Sequence, residues 1–96
     1  GISYDTPHAT AERVPELVRA VVESQPQARF DYCALRAFGD ASMTFEVCYH
    51  VPGTPGRIYL NTLDAVNRGI LASFERESVK FASTTRSVVL QTSIKD

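Results

Sequence analysis

The sequence predicts one α+β domain whose elements run strand, helix, strand, strand, helix, strand. Two apolar stripes at helical spacing and one segment of unbroken two-residue alternation carry that expectation. Glycine and proline signals mark the turns between them. With 96 residues the chain has room for one domain and one thin two-layer core.

The first strand is short. Ile2 and Tyr4 alternate with Ser3 and Asp5, which suits a strand with one buried face. Thr6-Pro7 then offers a helix start, with the hydroxyl as N-cap and the proline at the first helical position. Val14, Leu17, Val18, Val21 and Val22 fall on one helical stripe, while Glu12, Arg13, Glu16, Arg19 and Glu23 fall mostly off it. Pro15 removes a backbone donor inside this segment, so the helix either kinks there or begins there, and the favoured reading is one kinked helix over about residues 7 to 24.

After the breaker Gln25-Pro26-Gln27 the period changes to two. Met43, Phe45, Val47, Tyr49 and Val51 alternate with Ser42, Thr44, Glu46, Cys48 and His50, and residues 30–38 read as the strand before it. Gly39-Asp40 between them reads as a two-residue hairpin turn, the glycine supplying positive φ. That loop would set Phe38 opposite Ala41. Phe30, Tyr32 and Ala34 would then share the core face with Phe45, Val47 and Tyr49. Cys33, Leu35 and Ala37 would lie on the outer face beside Glu46, Thr44 and Ser42. This outer face is more apolar than solvent requires and is expected to be a contact surface, although a one-residue slip would exchange the two sets.

Pro52-Gly53-Thr54-Pro55-Gly56 is a loop. Tyr59, Leu63, Val66, Ile70, Leu71 and Phe74 then define a second helix over about residues 57 to 78, slightly weakened by Gly69. The β-branched run over 79–91, with Arg86, Val88 and Leu90 alternating against Ser87, Val89 and Gln91, reads as the last strand. This order predicts the ferredoxin-like βαββαβ fold, a four-stranded sheet with two helices on one face, its first and third strands adjacent.

The composition narrows the function. A formal charge of −1 lacks the basic field that nucleic-acid or anionic-membrane binding needs. No run approaches the roughly 18 apolar residues of a spanning helix, and no signal peptide is visible. Cys33 and Cys48 read as reduced thiols of a cytosolic domain, and they are too far apart for the C-x-x-C pair of a metal carrier. His8 and His50 have no sequence neighbour that makes a metal set. No nucleophile triad or phosphate loop has a structural context, and the outward face lacks the aromatics of an RNA-stacking sheet. The chain is therefore expected to be no enzyme and to carry no metal or cofactor.

Tyr4-Asp5-Thr6-Pro7, Val14-Pro15-Glu16-Leu17, the hairpin segment 38–47 (FGDASMTFEV) and the segment 81–90 resemble, in that order, the C-terminal cytoplasmic α/β domain of small-conductance mechanosensitive channels. Members of that family commonly carry a proline after the phenylalanine where this chain has Ala82-Ser83-Thr84. The resemblance implies that residues 1–96 are one domain excised from a longer membrane protein. It further implies a ring-shaped homo-oligomer, typically a heptamer, whose pore opens on membrane tension in osmotic protection. The domain would form the wall of a vestibule on the cytoplasmic side and would not conduct by itself. The outer hairpin face of Cys33, Leu35 and Ala37, read from the register and not from the resemblance, is what a ring subunit would bury against its neighbour or against the preceding domain. Glu46, Arg57 and Arg86 are candidates for solute-facing charges, against the plainer reading of solvated surface. A free-standing ferredoxin-like module that senses a small molecule or dimerises is the second reading of the residues.

Overall fold

Ile2 is where the expected sheet and the observed one part. The computed structural model describes residues 1–53 and 55–82. In it a two-stranded antiparallel sheet is accompanied by three helices, in the order α1 (His8–Glu12), α2 (Val14–Glu23), β1 (Arg29–Phe38), β2 (Met43–His50), α3 (Gly56–Glu77). Among the described residues the four-stranded ferredoxin-like sheet is therefore corrected to two strands. The expected first strand is reduced to Ile2, which makes one antiparallel bridge to Met43 and one to Phe81. Its alternation cannot extend, because the chain turns at once. The Thr6 N–H donates to the Ser3 carbonyl at 3.1 Å, and the Asp5 N–H donates to Ser3 Oγ at 3.1 Å. Of the expected last strand, only Phe81 forms a bridge within the described residues, and 83–91 lie outside them.

The single kinked helix is also corrected, to two helices. Continued through Pro15, a helix would leave the Ala11 carbonyl without its i+4 donor and press the ring against it. The chain avoids this by ending α1 at Glu12 and restarting at Val14, so that Pro15 falls in the first turn of α2, where no donor is missed. Thr6 does not cap α1; the residue before that helix is Pro7. Its Oγ1 instead accepts the Lys80 N–H at 3.1 Å and ties the chain start to the segment after α3.

Val14, Val18 and Val22 lie one turn apart on α2 and are buried, each contributing roughly 1.5 kcal/mol or more by removal from water. They meet Ile2, Met43, Val66, Phe74 and Val79 in one core, with Phe30, Cys33, Phe45 and Tyr49 packed against it. Val66 and Phe74 supply the buried stripe of α3, whereas Tyr59, expected on that stripe, is exposed. Gly53, at φ 62°, takes the left-handed conformation that turns the chain from β2 towards α3.

The end of α3 is closed by backbone bonds. Val79 donates to the Phe74 carbonyl at 2.9 Å and Ser78 to the Glu75 carbonyl at 3.3 Å, while Phe74 and Val79 are both buried. This is the Schellman arrangement, and Ser78 holds its left-handed position at φ 64°. A side chain there is strained by roughly 1–2 kcal/mol, part of which glycine forfeits through its freer unfolded chain. Ser78→Gly is accordingly expected to stabilise the domain by about 0.5–1 kcal/mol, read as a higher urea midpoint at constant m-value.

Candidate functional site

The hairpin presents the candidate residues, and its register decides which face each occupies. Phe30 stands opposite Tyr49, as the sequence pattern requires, but irregularities between Phe30 and Tyr32 and between Leu35 and Ala37 each shift the pairing by one residue. Between the two bulges Tyr32 faces Cys48, Cys33 faces Val47, Ala34 faces Glu46 and Leu35 faces Phe45. Past the second bulge Phe38 faces Met43, so the loop is residues 39–42. Gly39 is not in a positive-φ conformation; its N–H donates to the Ser42 carbonyl at 2.8 Å. The expected two-residue turn is therefore corrected to a four-residue one, and the two faces exchange along the middle of the hairpin.

Cys33, Leu35 and Ala37 consequently do not form one outer face. Cys33 packs against the core, where burial pushes its thiol above the ordinary range. Leu35, 44% exposed, joins Phe38, Met43 and Phe45 beside His8, Ala11 and Pro15 around a groove of about 270 Å³. Ala37 faces Thr44 on the other side of the sheet.

Glu46 does lie on the outer face and is exposed, but it is engaged there. The Tyr32 hydroxyl donates to Glu46 Oε2 at 2.7 Å, and Arg36 Nε stands 3.7 Å from Oε1. That hydrogen bond, followed by the carboxylate's charge, raises the Tyr32 phenol above its ordinary pKa. Arg57 is exposed on the first turn of α3, and Arg86 lies outside the described residues. His8 is likewise exposed and stands 3.5 Å from Glu12, one turn along α1.

The same face carries a grouping that the sequence reading did not assemble. Cys48 and His50, two apart on β2, point the same way, with Cys48 Sγ 4.0 Å from His50 Nε2. Asp31, the extra residue of the first bulge, brings Oδ2 to 3.6 Å from the same nitrogen. The three ligand-type atoms lie within 4.8 Å of one another. Partial burial first, then the Asp31 charge and hydrogen bond, push the Cys48 thiol up. Cys48 is a sequence neighbour of His50, which corrects the expectation that this histidine has none; the bulge that delivers Asp31 leaves no mark in the sequence.

The chain is 33% identical over 92 residues to the small-conductance mechanosensitive channel MscMJ of Methanocaldococcus jannaschii, an alignment covering 95% of this chain. Its sequence relatives are mechanosensitive channels. The large-conductance mechanosensitive channel MscMJLR of the same organism is 24% identical over 96 residues. This chain spans 26% of the first relative and 27% of the second, about a quarter of each. No family model matches the chain, and no solved structure does. No helix among the described residues is long and apolar enough to cross a membrane.

Proposed function

We propose that this chain is an assembly and vestibule-wall domain of a small-conductance mechanosensitive channel, placed on the cytoplasmic side of the membrane. The observation that carries this reading is the alignment over 95% of the chain to a quarter of a channel of that kind. In this role the domain is not an enzyme. It packs against its neighbours in a ring of identical subunits, and the parent protein opens on bilayer tension and protects against osmotic shock. Its contribution to that activity is mechanical: it holds subunits in register below a pore built by other segments.

A surface suited to packing accompanies this reading. Leu60 and Leu71 of α3 are both exposed, and at about 100° per residue they fall within roughly 20° of one another on the helix. Leu60, 64% exposed, contributes little to the fold and is the residue to charge. Leu60→Asp is expected to leave unfolding of the 96-residue chain within about 0.5 kcal/mol of the parent while the full-length protein sediments as smaller species. Deletion of the whole segment should abolish both the ring and survival of hypo-osmotic shock. A full-length protein that assembles and protects normally after that deletion would overturn the reading. Ligand-dependent dimerisation of the isolated chain would favour a sensing module instead.

A further inference from the structure

We propose that Asp31, Cys48 and His50 form a surface site for a divalent transition-metal cation of the zinc type, held within one chain by a carboxylate oxygen, a thiolate and an imidazole nitrogen. The donor set is what selects this class of ligand. A thiolate with an imidazole favours a borderline-soft ion over magnesium or calcium, which take oxygen donors. One thiolate and one carboxylate also balance the two positive charges of the ion. Three protein ligands with water in the fourth position make a complete tetrahedral shell.

The distances fit with small adjustments. Metal–ligand bonds of about 2.0–2.3 Å at tetrahedral angles place ligand atoms about 3.3–3.6 Å apart. His50 Nε2 and Asp31 Oδ2 are already 3.6 Å apart, and Cys48 Sγ is 4.0 Å from His50 Nε2. All three atoms lie within 4.8 Å of one another, so the widest pair closes by little more than an ångström. Asp31 and His50 are exposed and Cys48 half-buried, which leaves the side chains room to close and the ion a path from solvent.

The backbone explains why these three converge. Period-two alternation on β2 puts Cys48 and His50 on the face that carries Glu46. The bulge between Phe30 and Tyr32 inserts Asp31 on the facing strand between the residues paired with Tyr49 and Cys48. Bulges of this kind re-aim a side chain at the cost of one ladder position. Binding exchanges the Cys48 thiol proton for the metal and releases that proton to solvent, with His50 coordinating through Nε2 and its other ring nitrogen protonated. Cys33 takes no part, because it lies on the core side of the sheet.

The test is a titration of the reduced 96-residue chain with cobalt(II), followed by displacement with zinc(II). The expected result is a thiolate-to-cobalt charge-transfer band with the intense visible bands of a four-coordinate ion, saturating at one metal per chain and lost on adding zinc. Cys48→Ser should abolish the band, and His50→Ala and Asp31→Asn should each weaken binding at least about tenfold. Cys33→Ser should leave it unchanged. Circular dichroism of each variant checks the fold, and His50→Ala carries the test should Cys48→Ser fail to fold. No charge-transfer band, a band that survives Cys48→Ser, a band lost with Cys33→Ser, or saturation at half an equivalent would overturn the single-chain site.

Discussion

Phe74→Ala is expected to remove about 3–5 kcal/mol of stability, most of what a domain of this size has to lose. Phe74 is 4% exposed and sits in the cluster that joins α2, α3, Ile2 and β2. Its ring stacks on Phe81, with centroids 5.1 Å apart and an interplanar angle of 30°. Its carbonyl accepts the Val79 N–H that closes α3, so the same residue fixes the direction in which the chain leaves the helix. Truncation takes away the transfer energy of the ring, the stacking and the apolar contact of the helix-end motif together. The ring also borders a groove of about 410 Å³ shared with Val14, Val18 and Phe81, into which neighbours can relax, and this sets the loss nearer 3 than 5 kcal/mol. Urea unfolding should show a large fall in midpoint at unchanged m-value, and Phe81→Ala, at a residue about half exposed, a fall several-fold smaller. A loss below about 1 kcal/mol for Phe74→Ala would show that its ring does not anchor this core.

Phe74 was legible as core because helical periodicity is a long-window signal. Val14, Val18 and Val22, or Val66 and Phe74, repeat over three turns and tolerate uncertainty in any one position. Strand register has no such tolerance. The alternation of β2 located that strand within a residue, yet two one-residue bulges in β1 were enough to move Cys33 and Leu35 from the outer to the helix-facing side. Nothing in residues 29–38 announces a bulge: neither glycine nor proline occurs there, and the disrupted positions are Asp31 and Arg36. The four-stranded sheet failed for a related reason. A single alternating residue, Ile2, with the turn at Ser3 behind it, satisfies a pattern but not a ladder.

The candidate site was legible in parts. Glu46 and Arg57 are exposed, as charges with no buried partner are. The kinship with mechanosensitive channels was legible from short motifs in order, and it survives the correction of the sheet because it rests on residues rather than on strand count. The grouping of Asp31, Cys48 and His50 was not legible, since it needs the bulge to bring residues seventeen and nineteen positions apart to one point.

Gly69→Ala reverses the sign that helix propensity assigns to it. In the middle of α3, replacing glycine by alanine should add about 1 kcal/mol of stability. A Cβ at Gly69, however, would stand 2.7 Å from Val21 Cγ1, with Val21 Cβ and Cγ2 at 3.8 Å. Val21 cannot swing clear, because a β-branched side chain in a helix is held to one χ1 rotamer. The glycine therefore marks a tight approach of α3 to α2, and filling it forces the helices apart beside the core that holds Val18 and Val66. Overpacking costs about 1–3 kcal/mol, and a contact as short as 2.7 Å puts it at about 2–3 kcal/mol, which less the propensity gain of about 1 leaves a net loss of about 1–2 kcal/mol. The double variant Val21→Ala/Gly69→Ala distinguishes this cause from any other. If the clash is responsible, the two changes together should destabilise by about 1–2 kcal/mol less than their sum; additive losses would place the fault elsewhere in the helix. A rise in the urea midpoint for Gly69→Ala alone would mean that the two helices can separate freely at this point.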